Sequence, residues 1–508
     1  MARQRWPPPG RGSLRLDFFS QKSNQYTVNF SGALTMAARR ATQTVPKERL
    51  AWLPELTEGG KPAYLAIVDS IAAGIKSGRL LPGERLPTQR ALAGQLDLDY
   101  TTVARAYGEA RRRGLIDSTV GRGTFVRAPD GAAERGDGIA APVDLSMNLP
   151  PEPDDPALLE RMRQGIGYLQ QLGDLRALLR YQEFGGSPND REAGIRWLSP
   201  SIGEPTQDRI LVCPGAQSAI LAALASLTRP GDVVCTEALT YPGFRAQAAH
   251  CGVRLEGLPF DNEGIDPDAF ARACRTQTPK ALYCNPTLQN PTTTTISEAR
   301  RHAIVAIARH HGVAIIEDDA YARLARQPPP AFAVLAPELT YYISGLAKCV
   351  ASGLRIAYIV APDARHAARL AATFHATTVM AAPLMAALAT RWIADGTADA
   401  ALAAILREAM ARQQLAAELL DPAWMVTQPE ALHFWLRLPE PWSRVALMQH
   451  LRNSGIGVVV SDAFTVSGPP PEAVRVCLGG PAGRPELKRA LETLANALDR
   501  APAFYGVI

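Results

Sequence analysis

Two cations, Lys348 and Arg355, stand in the stretch YYISGLAKCVASGLRIAYIV among small and apolar residues, with no acidic neighbour. Burying an unpaired ammonium is costly, so a lysine in such a setting is neutralised, paired or used covalently. Four earlier segments carry groups that could work with it. CPGAQSAI offers consecutive backbone donors at Gly215, Ala216 and Gln217, where a strand-like run turns into a helix, a common way of holding phosphate. TYPGF supplies Tyr241, an aromatic face able to stack on a ring and equally able to fill a core. In NPTLQNPTT, Asn290 is an amide donor fixed in position by Pro291. AIIEDDAY sets Asp318 and Asp319 just after an apolar strand, at the sheet edge where ligands of α/β proteins sit. Taken alone, that pair also fits a helix cap or an exposed turn.

The combination is more specific than its members. A phosphate cradle, an aromatic plate, an amide donor, a carboxylate and a buried lysine suit pyridoxal 5'-phosphate (PLP). The lysine makes a Schiff base with the aldehyde, the carboxylate keeps the pyridine nitrogen protonated so that the ring accepts electrons, and the cradle holds the phosphate. Arg355, seven residues beyond Lys348, adds a phosphate cation.

These groups need a frame. Runs such as RILVCPG, DVVCTEA, ALYCNP and VAIIEDDAY alternate with longer amphipathic stretches from about Val143 onward, the order of an α/β sheet covered by helices on both faces. At 508 residues the chain is too long for one ordinary core, so two or more domains are expected. The 47% hydrophobic and 20% charged content is that of a soluble globular protein. The longest uncharged run, Leu370 to Thr390, carries His375, Pro383 and four threonines, which points to a buried helical segment rather than a membrane span. Seven scattered cysteines without a C-x-x-C pair argue for free thiols, with no zinc site, in a reducing cytoplasm.

The net charge of +5 conceals a division. Met1 to Arg127 holds 20 Lys/Arg against 10 Asp/Glu, whereas the remainder holds 34 against 39. A basic amino-terminal quarter on an acidic body suggests that one part meets a polyanion. Residues 1–60 lack sustained periodicity and read as a disordered extension, with some features of a transit peptide; Met36 is an alternative start.

From Lys61, the spacing of Leu65, Val68, Ile71, Ala72 and Ile75 gives one amphipathic helix beginning at Pro62. A second restarts after Pro87 with Thr88 as cap and Leu92 and Leu96 buried. The third, in DYTTVARAYGEARRRG, turns Val103, Ala106, Tyr107 and Ala110 inward and its arginines outward. Two β-rich runs joined by Gly121-Arg122-Gly123 read as a hairpin. Three helices and a hairpin make a winged helix-turn-helix over 61–127, and its 11 basic against 6 acidic residues favour DNA binding over a helical adaptor. A Gly-, Pro- and Ala-rich linker spans 128–142, and the second domain 143–508.

GRLLPGERLPTQRALAGQL, TTVARAYGEARRRGLI and GRGTFV resemble the DNA-binding domain of the GntR family of bacterial transcription regulators. The resemblance implies DNA contacts from Arg90, from Thr101 and Thr102 at the start of the recognition helix, and from Gly123 in the wing. Arg105 and Arg122 are basic residues of the same helix and wing. Tyr100 stands where many members have arginine and remains able to bond phosphate. Threonine hydroxyls at a helix N-terminus and an arginine are groups that can grip phosphate or reach base edges.

PGAQ, TYPG, QNPT, EDDAY and AK followed by Arg355 resemble, in that order, the fold-type I aminotransferases of class I and II. Joined to the first domain they resemble the MocR (GabR-like) regulators. The resemblance implies Lys348 as the aldimine lysine, Asp318 on the pyridine nitrogen, Tyr321 and Asn290 on the phenolic oxygen, Tyr241 stacked on the ring and Arg355 on phosphate. Tyr181 in RYQEFGG would then act across a homodimer, and Arg475 in EAVRVCLGG would grip the carboxylate of a substrate or effector. The phosphate-binding serine common three residues before the lysine is here Gly345, with Ser344 displaced by one.

Two functions follow from this reading. One is a regulator that binds double-stranded operator DNA and senses PLP, an amine or an amino acid. The other is an aminotransferase acting on an amino acid, with the DNA-binding domain as accessory. The fusion favours the first, because an enzyme has no need of a specific DNA reader.

Overall fold

The computed structural model describes residues 52–54, 62–77, 79–81, 83–119, 123–126, 143–171 and 175–499. Nearly all of the expected amino-terminal extension, the linker 128–142 and Arg122 lie outside the described residues. The chain divides into two compact units, Met1–Glu134 and Arg135–Ile508.

In the first unit, α1 (Ala63–Lys76), α2 (Gln89–Leu96) and α3 (Tyr100–Arg112) precede an antiparallel pair, β1 (Ile116–Thr119) and β2 (Gly123–Val126). Thr88 caps α2 by accepting from the Ala91 amide at 3.2 Å, and Asp99 caps α3 by accepting from the Thr101 amide at 2.7 Å. Each satisfies a donor that the first helical turn leaves without a partner. The core gathers Ile67, Val68 and Ile71 with Leu92, Val103, Ala106, Tyr107 and Ala110, closed by Ile116 and Val126. On α1 the buried stripe is rotated from the sequence expectation: Ile67 is fully buried, while Leu65 and Ile75 are only half-buried. Trp52 packs on the edge of this core, and the buried Tyr107 hydroxyl is satisfied by the Pro87 carbonyl at 2.8 Å.

The second unit is built on a seven-stranded sheet. Its strands are β3 (Ile210–Cys213), β4 (Val233–Glu237), β5 (Arg254–Leu258), β6 (Ala281–Cys284), β7 (Ala314–Asp318), β8 (Thr340–Gly345) and β9 (Ala357–Val360). The spatial order is β3-β9-β8-β7-β6-β4-β5, with β9 antiparallel to both neighbours and the remaining pairings parallel. Both faces are covered. Tyr341, Ile343 and Ile316 enter one cluster, whereas Tyr342 and Ile315 enter clusters on the other face, which is why these strands read as unbroken apolar runs. The uncharged run from Leu370 is divided between two helices, Ala364–Thr377 and Pro383–Ala394. Among the described residues no helix is long and apolar enough to cross a membrane.

A smaller antiparallel sheet follows, β10 (Met425–Val426), β11 (His433–Arg437), β12 (Val459–Val460) and β13 (Ala473–Cys477), in the order β10-β11-β13-β12. The start of the unit is bound to this region: Val143–Asp144 pairs in parallel with Ile456–Gly457, and the Leu145 carbonyl accepts from the Cys477 amide at 2.8 Å. The strap that follows, Leu145 to Leu149, runs so close to Gly479 and Gly480 that a Cβ there would lie 1.9 Å from the Leu149 carbonyl oxygen and 2.0 Å from that of Asp144. Only glycine tolerates such an approach.

Candidate cofactor site and DNA-reading surface

The parallel strands deliver their chemistry at their carboxyl ends. Gly215 follows β3, Asn285 follows β6, Asp318 ends β7 and Lys348 lies three residues past β8. A cavity of about 540 Å³ opens there, lined by Lys348, Asp318, Tyr321, Asn290, Tyr241, Arg355, Ala216, Gln217 and Arg475 among others. Sequence positions more than a hundred residues apart thus meet where ligands of open α/β sheets bind.

Lys348 does meet an acid here. Burial pulls its ammonium down to about 8; Arg475 and Arg355 add to the pull, while Cys477 and Asp318 oppose it. Its Nζ donates to the Asn148 carbonyl oxygen. Asp318 is buried, and that burial pushes its carboxyl up to about 6 although the Tyr283 hydroxyl stabilises the anion. Tyr283 donates to Asp318 Oδ2 at 2.8 Å, and Asp318 Oδ1 is buried without a hydrogen-bond partner. Asn285 donates to the Asp318 carbonyl, and its own amide N–H reaches the buried Glu237 at 3.0 Å. Burial pushes Glu237 up to about 7.

The opposite wall carries positive charge. Helix α4 (Ala216–Leu227) begins at the cavity with Gly215 as its N-cap, in the left-handed region at φ +85°. A Cβ on Gly215 would stand 2.8 Å from the Arg355 guanidinium, so the glycine lets arginine and helix terminus converge. Tyr241 lies over this end, its hydroxyl accepting from Gln217 Nε2 at 2.9 Å. The structure leaves Ser344 out of the cavity, buried within β8; Ser352, four residues past the lysine, lines it instead. Tyr181 is also outside it and is 81% exposed.

Tyr321 and Asn290 also line the cavity. The Tyr321 hydroxyl accepts from Asn148 Nδ2 at 2.9 Å, and burial drives its phenol well above the ordinary value. Asn290 Oδ1 accepts from Arg475 Nη1 at 2.8 Å, and the Arg475 Nη2 donates to the Ser146 carbonyl at 2.5 Å. Arg475 sits on β13 with its guanidinium 5.0 Å from the centre of the Phe464 ring. Asn148, Tyr283, Asn285 and His433 escape a reading of the sequence: none stands in a distinctive motif, although Asn285 is part of the segment that discloses Asn290.

On the first unit, Arg90, Tyr100, Thr101 and Arg105 are exposed and Thr102 is half-buried. The α3 terminus therefore presents Tyr100 and both threonines together, with Arg90 on the preceding helix. Two of the candidates have partners already. The Thr101 hydroxyl donates to Asp99 at 2.5 Å, and the Arg105 guanidinium stacks 4.2 Å above the Tyr64 ring. Gly123, at φ +124°, brings the wing against Arg85: a Cβ there would meet its side chain at 2.8 Å. At the far end of α3, Arg113 is held by Glu109 and Asp69.

The fold is a winged helix-turn-helix followed by a fold-type I aminotransferase domain. Residues 63–126 match the gntR family of bacterial regulatory proteins, and residues 141–494 match aminotransferase class I and II. The chain is 30% identical to the uncharacterized HTH-type transcriptional regulator YdeF of Bacillus subtilis, over 89% of this chain and 97% of that protein. It is 28% identical to PtsJ, the vitamin B6 salvage pathway transcriptional repressor of Salmonella typhimurium, over 79% and 91%. Among solved structures, LysN, the α-aminoadipate aminotransferase of Thermus thermophilus, superposes with a TM-score of 0.63 at 22% identity, over 70% of this chain and 92% of that one. The chain belongs to the family of helix-turn-helix regulators in which a gntR-type DNA-binding domain is joined to an aminotransferase class I and II domain.

PLP is the cofactor of that large domain, and the cavity fits it. An unpartnered buried carboxylate oxygen at Asp318 suits a ring N–H, and the glycine-capped helix terminus beside Arg355 suits a phosphate.

Proposed function

We propose that this protein is a transcription regulator that binds operator DNA through its first unit and reads an amine, an amino acid or PLP itself through Lys348. The observation that carries the reading is the buried Asp318, bonded at one oxygen by Tyr283 and unpartnered at the other, in the same cavity as a lysine whose ammonium is pulled down to about 8. When bound, PLP supplies a carbonyl carbon open to attack by an amine and a ring that accepts electrons.

The chain's own residues do the rest. Asp318 Oδ1 holds the ring N–H, while Tyr283 keeps the carboxylate oriented. Tyr321 and Asn290 take the phenolic oxygen, and Tyr241 covers the ring face. Gly215, Ala216 and Gln217 at the start of α4, with Arg355 and Ser352, bind the phosphate. Lys348, partly neutral near physiological pH, presents a nucleophilic amine. Arg475 receives a ligand carboxylate by exchanging the Ser146 carbonyl for it.

The DNA reader spans 61–127 and is joined through 128–142 to the sensing domain 143–508. A homodimer supplies the paired reading heads that helix-turn-helix operators demand. Tyr181, with the nearby exposed Leu179 and Phe184, suits a residue given to the partner's phosphate site. The described residues carry seven free cysteines, six of them buried, in keeping with work in the reducing cytoplasm.

The test is binding of the purified protein to DNA from its own upstream region, with competitor DNA at fixed salt, with and without PLP. Sequence-selective binding that changes with PLP is expected. No selective binding across several upstream segments, together with turnover of an amino donor, would replace the regulator with an aminotransferase.

A further inference from the structure

Asn148 is joined to more of the site than any motif announces. Its backbone oxygen accepts from Lys348, and its Nδ2 donates to the Tyr321 hydroxyl at 2.9 Å and meets His433 Nδ1 at 3.2 Å. The residue is buried, at 7% relative exposure, yet it lines the cavity, and its Oδ1 has no hydrogen-bond partner.

The orientation of that amide follows from its surroundings. Burial, with help from Arg475, pulls the His433 imidazolium down to about 3, so the ring is neutral and carries one proton. The backbone carbonyls of Gln289 and Pro291 favour the protonated ring, although Nε2 itself makes no hydrogen bond. The NH₂ side of Asn148 faces Nδ1, which then accepts from it. Both Nδ2 protons are then spent, one on Tyr321 and one on His433. Oδ1 is left as a buried acceptor of a residue that lines the same cavity as the lysine.

A buried acceptor without a donor is destabilising, and native proteins keep few of them. What this one lacks is an N–H donor supplied from the cavity that Lys348 also lines. We propose that Asn148 Oδ1 is the acceptor for the amine nitrogen of the ligand, holding it next to Lys348 while the Asn148 backbone oxygen holds the lysine amine. This rests on the amine-sensing reading above and adds its amine subsite. His433 acts through Asn148 and is a positioning residue.

The assignment separates amine from carboxylate recognition, since Arg475 and Asn148 touch different ends of an amino acid. PLP-loaded full-length protein is titrated calorimetrically with the common amino acids, and then with the deaminated acid of the one that binds most tightly. In Asn148→Ala, affinity for the amino acid should fall at least about tenfold while the deaminated acid binds as before. Asn148→Asp, which keeps the volume and the acceptor, should retain the preference for the amine-bearing ligand.

Equal weakening of both ligands in Asn148→Ala, or no weakening of either, would overturn the assignment. Loss of the preference in Asn148→Asp when Asn148→Ala fails to fold would do the same. If no amino acid binds the wild-type protein, the amine-sensing reading itself fails, an outcome distinct from the other two.

Discussion

At the scale of single residues, the site buries an acid and a base in one cavity. Burial raises Asp318 to about 6 and lowers Lys348 to about 8, each shift disfavouring the charged form. The signs fix the stability profile. For Asp318 the folded value lies above the unfolded one, so its contribution to stability is present below pH 3.8, its ordinary value, and is lost as pH rises to about 6. For Lys348 the folded value lies below, so burial costs stability up to about pH 8, and that cost is relieved as pH rises towards 10.5. The same neutralisation should speed loading of the cofactor-free protein with PLP, followed by absorbance, as pH climbs through about 8. A rate that stays flat across that range would contradict a lysine in this state. Lys348→Ala should abolish the adduct trapped by borohydride and leave the first unit folded, as judged by DNA binding. Lys348, Asp318, Arg355 and Arg475 are legible in the sequence because each stands in a short motif; Asn148 and His433 are not, because their roles arise only from contacts across the fold.

At the scale of elements, the frame is readable where periodicity is strong and faint where packing decides. Alternating strands and helices disclose the α/β sheet, and the cap at Thr88 marks a helix of the first unit. The buried face of α1 is displaced by part of a turn, since the sequence offers Leu65, Ile67 and Val68 almost equally and only the approach of α3 chooses among them. The strap of 145–149 is invisible in the sequence: it follows two residues of pairing and bends at Ser146 and Met147, with no periodic pattern to read. Its seating depends on Gly479 and Gly480. Gly480→Ala should cost about 1–3 kcal/mol of stability through overpacking and weaken PLP retention, measurable as a lower melting temperature and faster cofactor loss. An unchanged melting temperature would mean that the strap yields without consequence. On α2, Arg90→Ala should weaken operator binding and lower the slope of log K against log salt by about 1, with the cofactor spectrum unaltered.

At the scale of the molecule, a basic reader and an acidic body divide recognition of a polyanion from recognition of a small molecule. The uneven charge makes this partition plain in the sequence, because net charge is additive along a chain whereas a site is not. What composition cannot convey is how the two tasks communicate. The strap follows directly on Val143 and Asp144, the first described residues of the second unit, and its carbonyls hold Arg475 at Ser146 and Lys348 at Asn148. The covalent joint between reader and sensor therefore continues directly into the wall of the binding cavity. Linkage makes that joint symmetrical: whatever factor a ligand imposes on operator affinity, the operator imposes on ligand affinity. On the sensing function proposed above, an occupied promoter is then an effector in its own right, and the concentration at which the protein answers its small molecule is expected to differ between molecules on DNA and molecules free in solution.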